Sequence, residues 1–556
     1  MQSNTEKKNK WLTWRSWHRW VGLVFSIFII LFSISGIILN HRNLFSHMEV
    51  SRWWLPSNYE LKNWNGGIVK GTVDISDINL PKSNLNNGKK LVVYGQYGTF
   101  VTDADFTQVE DYNQGFEEGV DHRQIRNIVR TTDKTLWAAA NFDLYKRKPG
   151  EKAWTRIPLE NNDERLSDIA LRDDTLLVET RSAFYKSDDY GKTFERIELR
   201  TPEGYKSEVT LFKHFWMIHS GGLFGITGKI IVDLLGIVLI FLSITGIIYF
   251  VLPYSIKRTN KKMHAFDNAK EAERIASAKE TVKHQAGWLK WDLIWHNRLG
   301  YWLIAFTLLL SLTGMCLRPP LMVPLAMTKT RPLPGTTLDN DNVFHDKLRG
   351  VRWDDQLDIW IIISNEGLFA IDEDLKNSLP VFIPSSPEVS PMGVNVFERN
   401  PQSAVRDSVG NVLYHSEWLI GSFSGLFVWN PLRETITDYF TREPYVHTSG
   451  RPIGNVMVSG FSTDLLADPE IVFEYNEGPC VHTMPPTSPL VMQTPQMPEL
   501  LASQPMSLWN FALELHTGRC YEPFLGPVSV LFIFISGLLL TLILISGFIL
   551  YRRSHK

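Results

Sequence analysis

The strongest constraint on this chain is a membrane-length apolar segment that occurs twice in one register. Trp17-His18-Arg19-Trp20-Val21-Gly22 runs into an apolar stretch that reaches Ser35-Gly36. Trp295-His296-Asn297-Arg298-Leu299-Gly300 runs into another that reaches Thr313-Gly314, at the same 278-residue offset that separates His18 from His296. A second pair of segments, 210–221 and 507–518, aligns without gaps and matches His219-Ser220-Gly221 to His516-Thr517-Gly518. Each of these leads into an apolar run that closes on Thr245-Gly246 or Ser546-Gly547. The chain reads as an internal duplication of helix, large insert, helix.

The four apolar spans are Val21 to Leu39, Ile230 to Val251, Tyr301 to Leu317 and Val528 to Tyr551. Each is near the ~20 residues that cross a hydrocarbon core of about 30 Å. The first is too long for the apolar core of a signal peptide, and no small-residue cleavage site follows it. Lys7, Lys8, Lys10 and Arg15 precede span one, Lys257, Arg258, Lys261 and Lys262 follow span two, and Arg552-Arg553 follow span four. The positive-inside rule then places both termini and the 254–290 loop in the cytoplasm and both inserts outside. The expected order is a leader at 1–16, a first span at 17–40, a β insert at 41–209, and an interfacial helix with span two at 210–253. After the cytoplasmic loop come span three at 291–317, a second β insert at 318–506, an interfacial helix with span four at 507–551, and a tail at 552–556.

The inserts read as β structure, with short alternating runs broken by turn signals. A repeat of about 40 residues joins Leu144-Tyr145-Lys146 and Trp154 to Phe184-Tyr185-Lys186 and Phe194. Its second copy holds Ser187-Asp188-Asp189-Tyr190-Gly191-Lys192-Thr193-Phe194, which resembles the Asp-box turn between outer strands of propeller blades. Similar fragments occur at 91–112, 357–382 and 412–439, two of them with a Gly-Leu-Phe cue, Gly367-Leu368-Phe369 and Gly425-Leu426-Phe427. The expected fold class is therefore an α-helical four-span bundle with all-β, propeller-like extracytoplasmic inserts. The inserts either complete one propeller together or form two separate β domains. An Asp-box is a structural turn and gives no ground for sialidase activity.

A net charge of −2 over 556 residues gives no sign of a nucleic-acid partner. Three cysteines make no disulfide scaffold; Cys480 and Cys520 either pair outside the cell or stay as thiols, with Cys316 left over. The stretch 264–286 reads as a charged, solvated helix without a Gly-rich phosphate loop, so no flavin or nucleotide site is expected. The Pro- and Met-rich stretch 484–506 reads as an irregular linker.

Of fifteen histidines, four obey the repeat: His18, His219, His296 and His516. Ionisable groups at helix mouths need partners and are functional candidates. His18 and His296 fall at the cytoplasmic ends of their spans, and His219 and His516 where the chain re-enters from outside. Each pair can clamp a flat ring between two imidazoles, and haem iron with two His ligands favours electron transfer. Gly22, Gly300, Gly221 and Gly518 would let a macrocycle or a neighbouring backbone approach. The opposing reading is that His and Trp17, Trp20 and Trp295 anchor helices at the headgroups. His41 and His214 do not repeat and are secondary candidates. Asp233, inside span two, has Lys229 one turn earlier as its expected partner.

His18-Arg19-Trp20-Val21-Gly22 before a span ending Ser-Gly, and Ile218-His219-Ser220-Gly221 with Asp233-Leu234-Leu235-Gly236, resemble the PepSY-associated transmembrane helix family. That family includes inner-membrane haem proteins that reduce ferric siderophores. The resemblance implies two b-type haems, held at His18, His219, His296 and His516. It also implies an outer ferric chelate as acceptor; the inner donor is a quinol or a cytoplasmic flavoprotein, not encoded here. Neither insert carries a recognisable PepSY domain. The alternatives are a scaffold that displays a binding propeller, or a haem or metal transport component.

Overall fold

The computed structural model describes residues 2–78, 88–160, 164–263, 272–390, 392–406, 412–445, 454, 456–465, 470–481, 490–491 and 494–554. The chain divides into two compact units. The first comprises 1–45, 208–339 and 509–556, and the second 46–207 and 340–508. Both inserts thus contribute to a single unit rather than to two.

The first unit is helical. Its main helices are α1 (Gln2–Asn40), α2 (Leu211–Ser220), α3 (Gly225–Met263), α4 (Ala272–Trp302), α5 (Ile304–Cys316), α6 (Leu508–His516) and α7 (Ser529–Ser554). Segments Trp14–Asn40, Gly222–Met263 and Arg519–Ser554 are long and apolar enough to cross a bilayer. Their outward residues are apolar too: Val24, Ile27, Leu234, Ile237 and Leu538 are all exposed. Such all-round hydrophobicity is the pattern of helices in lipid. Inside, Phe25, Ile29, Leu239, Ile543 and Leu544 form a buried cluster against which Trp17, Phe32 and Leu308 pack. Trp20 and Trp295 stay partly exposed.

One sequence expectation needs correction here. Span three is not a straight helix from Tyr301, because α4 and α5 meet at Leu303 with a 67° bend. Gly300 weakens the helix before the bend, and Thr307 returns its hydroxyl to the Leu303 carbonyl (3.0 Å), a side-chain bond that competes with the backbone ladder. Helix begins at Gln2, α3 runs to Met263 and α4 starts at Ala272, so the described part of the stretch read as a charged helix is helical. Residues 264–271, part of the expected charged helix, lie outside the described residues. The cysteines are free thiols, with Cys480 and Cys520 both buried.

The second unit contains six four-stranded antiparallel sheets. Sheet one is β1 (Gly71–Asp74), β2 (Lys90–Gly95), β3 (Gly98–Asp103) and β4 (Val109–Asp111). Sheet two is β5 (Ile125–Arg130), β6 (Leu136–Ala140), β7 (Leu144–Arg147) and β8 (Thr155–Ile157). Sheet three is β9 (Leu166–Arg172), β10 (Thr175–Thr180), β11 (Phe184–Ser187) and β12 (Glu195–Ile197). Sheet four is β13 (Leu348–Asp354), β14 (Ile359–Ser364), β15 (Gly367–Ile371) and β16 (Val381–Ile383). Sheet five is β17 (Val396–Arg399), β18 (Trp418–Ser422), β19 (Gly425–Asn430) and β20 (Thr435–Asp438), with a hairpin between its first two strands. Sheet six is β21 (Val458–Ser462), β22 (Ile471–Glu474), β23 (Gly478–Val481) and β24 (Leu490–Val491).

Strand alternation makes each sheet apolar on both faces. Val92 faces sheet two beside Ile128, and Trp137 of sheet two packs toward Val178 of sheet three. Leu177 meets Ile362 of sheet four, whose Ile363 meets Ile420 of sheet five. Leu419 of sheet five and Val472 of sheet six share a buried cluster, as do Phe473 of sheet six and Val93 of sheet one. Each fully buried aliphatic or aromatic chain of this kind contributes roughly 1.5–3 kcal/mol. Four of the six first strands share a further mark: the register slips once at Ile125/Asn127, Leu166/Asp168, Leu348/Gly350 and Val458/Gly460. The 40-residue repeat seen in sequence is one such sheet.

The Asp-box lies between β11 and β12. Asp189 accepts from the Ser187 hydroxyl (2.8 Å), the N–H groups of Lys192 (3.0 Å) and Thr193 (2.9 Å), and the Thr193 hydroxyl (2.7 Å). These bonds, led by those from Thr193, hold its carboxyl far below the usual carboxylate range. Gly191 is required there, because it has φ +70° and a Cβ would strike the Trp137 ring.

Candidate cofactor site

Within the helical unit the structure places His18 beside His296 and His219 beside His516. The ring centroids are 6.4 Å apart in the first pair and 6.0 Å in the second. Each pair brings together two different helices: α1 with α4, and α2 with α6.

What aims these rings is the Ser/Thr-Gly pair that closes each span. Nδ1 of His18 faces the Ser546 hydroxyl (2.8 Å) and the Ile543 carbonyl (3.1 Å) of α7. Nδ1 of His516 faces the Ser35 hydroxyl (3.0 Å) and the Phe32 carbonyl (3.0 Å) of α1. Nδ1 of His219 faces the Thr313 hydroxyl (3.2 Å) and the Leu310 carbonyl (3.1 Å) of α5. Nδ1 of His296 faces the Thr245 hydroxyl (2.8 Å) and the Leu242 carbonyl of α3. One pattern serves all four.

That pattern fixes the tautomer. A carbonyl only accepts, and each of these hydroxyls already donates its single proton to a carbonyl of its own helix, as Ser35 does to Leu31 (2.7 Å) and Thr313 to Leu309 (2.7 Å). Nδ1 must therefore carry the hydrogen and donate it. Nε2 is left with a bare lone pair, the form in which imidazole ligates a metal. Among the described residues no protein group bonds Nε2 of any of the four.

The glycine after each hydroxyl seats the ring edge. A Cβ built on Gly314 would lie 2.9 Å from Cε1 of His219, on Gly547 3.1 Å from His18, and on Gly36 3.3 Å from His516. On Gly246 it would lie 3.7 Å from His296, an ordinary contact. Ser/Thr-Gly is thus a histidine seat.

The pairs fit a metal held between two imidazoles. A metal–nitrogen bond of about 2.0 Å on each side, plus the half-width of each ring, puts the centroids about 6–6.5 Å apart. Near the first pair a Cβ on Gly22 would meet nothing within 4 Å, and on Gly300 only Leu242 at 4.0 Å. Gly221 and Gly518 do a different job. They are left-handed caps, φ +75° and +80°, where α2 and α6 end. The Gly228 carbonyl packs against Gly221, while Ile533 and Phe532 pack against Gly518.

The secondary candidates stand apart. Nε2 of His41 bonds the Asp233 carboxylate (2.5 Å), which also accepts from the Asn40 amide (2.9 Å). Asp233 therefore clamps α1 to α3 and does not pair with Lys229 as expected, because the closing turn of α1 brings stronger partners. His214 is buried, donates Nδ1–H to the Thr210 carbonyl (3.0 Å) and leaves Nε2 without a partner. Sequence reasoning passed over Asp292, one turn before His296, whose buried carboxylate also lacks a hydrogen bond. It falls outside the repeat, so no pattern marked it.

A family model described as the PepSY-associated TM region matches residues 2–252 and 263–554. The chain belongs to the PepSY-associated TM family. The match to this family includes all four paired histidines and runs through both compact units. No curated relative matches the chain. Two solved structures of the extracellular domain of BT4673 from B. thetaiotaomicron, described as a one component and a hybrid two component system, align at 9% identity. They cover 79% and 76% of this chain with TM-scores of 0.34 and 0.31. This chain covers 36% and 39% of theirs, well under half their length.

Proposed function

We propose that this membrane protein carries electrons through two haems, each held by one histidine pair, from the cytoplasmic side to an acceptor outside. The observation that carries the reading is the four-fold recurrence of one arrangement: a histidine held by Nδ1 on a Ser/Thr-Gly seat, with its ring beside that of a second such histidine. Haem, if held by His18, His296, His219 and His516, would supply a one-electron couple. The chain's own part is to hold the rings. The seats fix the tautomer, and the carbonyl bonds make the imidazoles more basic ligands. The apolar cluster around Phe25 and Ile543 keeps water from the helix contacts.

In this reading the four apolar segments all span, with α4 and α5 forming one bent crossing, and His18 and His296 lie at the cytoplasmic face. Lys257, Arg258, Lys261, Lys262, Arg552 and Arg553 support that orientation. The six sheets are read as blades of one periplasmic propeller, supported by the cluster that joins sheet six to sheet one. By family likeness the acceptor is a ferric chelate, a siderophore, reduced from Fe(III) to Fe(II) by one electron so that oxygen ligands let go. The donor is a quinol or a cytoplasmic flavoprotein.

The test is the absorption spectrum of the detergent-purified protein before and after dithionite, with a pyridine haemochrome count. The expected result is a sharp reduced α-band and about two haems per chain. The variant His296→Ala is expected to lose one haem and keep the other. A protein that stays colourless after expression with ample haem, or a His296→Ala variant with both haems, refutes the reading.

A further inference from the structure

The six-sheet unit contains a small cleft, partly open to solvent, to which every sheet contributes. Its lining carries four cationic side chains, Lys70, Arg126, Arg349 and Arg352, against two carboxylates, Asp168 and Glu398. The carboxylates are occupied. Asp168 accepts from Arg352 (2.7 Å), from the Asn127 amide (3.0 Å), and from the N–H groups of Ile169 (2.8 Å) and Val351 (3.2 Å). Glu398 lies 3.5 Å from the other arm of Arg352. Arg349 donates to the carbonyls of Leu348 and Asp346, and the Asp346 carboxylate offsets part of its charge. The ammonium of Lys70 makes no hydrogen bond to the protein among the described residues.

We propose that this cleft is a binding site for a small oxyanion, received by Lys70 with Arg126. A cationic surplus held inside a protein calls for a counter-charge, and a cleft lined by several sheets gives the anion a fixed seat. Burial, with Arg126 and Arg352 adding to it and Asp168 and Glu398 opposing, pushes Lys70 down to about 7. Glu179 of β10, another acid near these arginines, is pushed up by burial and by Asp168. Tyr94 also lines the cleft, but it is held neutral and spends its hydroxyl proton on Asn127 (2.7 Å). An anion beside Lys70 would hold it protonated, so binding strengthens as pH falls through 7. This site does not depend on the haem reading.

The test uses the full chain in detergent and sulfate, whose charge is constant from pH 6 to 9. Calorimetry should show one saturable site at pH 6.5 and about tenfold weaker binding at pH 8.5. Lys70→Met should weaken sulfate binding about tenfold or more at pH 6.5 and remove the pH dependence. Arg126→Met should weaken it as well, while Lys192→Met, in the exposed Asp-box turn, leaves it unchanged. Displacement of sulfate by acetate marks a carboxylate-binding site, and its failure marks a tetrahedral one; either result agrees with an oxyanion site. No saturable sulfate binding at pH 6.5, or binding unchanged in both variants, overturns the proposal.

Discussion

Gly314→Ala and Gly246→Ala look equivalent in sequence, since each adds one methyl group to a Thr-Gly pair, but the structure separates them. On Gly314 the new carbon lies 2.9 Å from Cε1 of His219, and on Gly246 3.7 Å from Cε1 of His296. Carbon atoms rest at about 3.5–4.0 Å, so His219 must retreat by roughly 0.6 Å while His296 need not move. That retreat stretches the Nδ1 contacts to Thr313 and Leu310, already 3.2 and 3.1 Å, past useful hydrogen-bond length. Overpacking plus a weakened hydrogen bond costs about 1–3 kcal/mol, which is roughly a five- to 150-fold weaker hold on a ligand shared by His219 and His516. The assay is the haemochrome count of each purified variant, followed by the rate of haem transfer to apomyoglobin. Gly314→Ala should lose one haem, or release one much faster, and Gly246→Ala should match the parent. Equal effects in the two variants would refute the seat argument.

Other consequences are open to simple measurements. Asp233→Ala and His41→Ala break the α1–α3 clamp and should lower thermal stability in detergent by about 1–3 kcal/mol, yet keep the full haem count; loss of a haem would move His41 into the ligand set. Asp189→Asn should lower the melting temperature of the six-sheet unit at neutral pH. Because the Thr193 bonds depress the folded-state pKa, the parent's advantage is present above the unfolded value of about 3.9 and fades as pH falls below it. A difference between parent and variant that persists unchanged to pH 2 would contradict this. Lys70 is depressed to about 7, so between about pH 7 and 10 the unfolded chain binds more protons than the folded one and stability rises with pH. Lys70→Met should flatten that rise in a denaturant titration run at several pH values.

The repeat exposed the four histidines and the four Ser/Thr-Gly pairs as separate patterns. It could not join them, because each seat belongs to a helix far away in the chain: His18 rests on Ser546, 528 residues on. Gly221 and Gly518 show the opposite limit, since their spacing near the histidines looked like room for a ring while their backbone caps a helix. The β inserts were legible as strands with a 40-residue rhythm, down to the Asp-box turn. Asp292 and the cationic cleft were not, because burial and missing partners leave no mark on local sequence.

By itself the sequence determined what short-range chemistry dictates: apolar lengths that match a bilayer, alternation that makes strands, and a duplication that sets matching histidines at matching helix mouths. Tertiary structure alone decided which imidazole meets which, which hydroxyl fixes its proton, and where α4 bends into α5. The ring pairs and their seats depend on atoms brought together from 51 to 528 residues apart in the chain. Contacts of a few tenths of an ångström, as between Gly314 and Gly246, are set by packing and not by residue type.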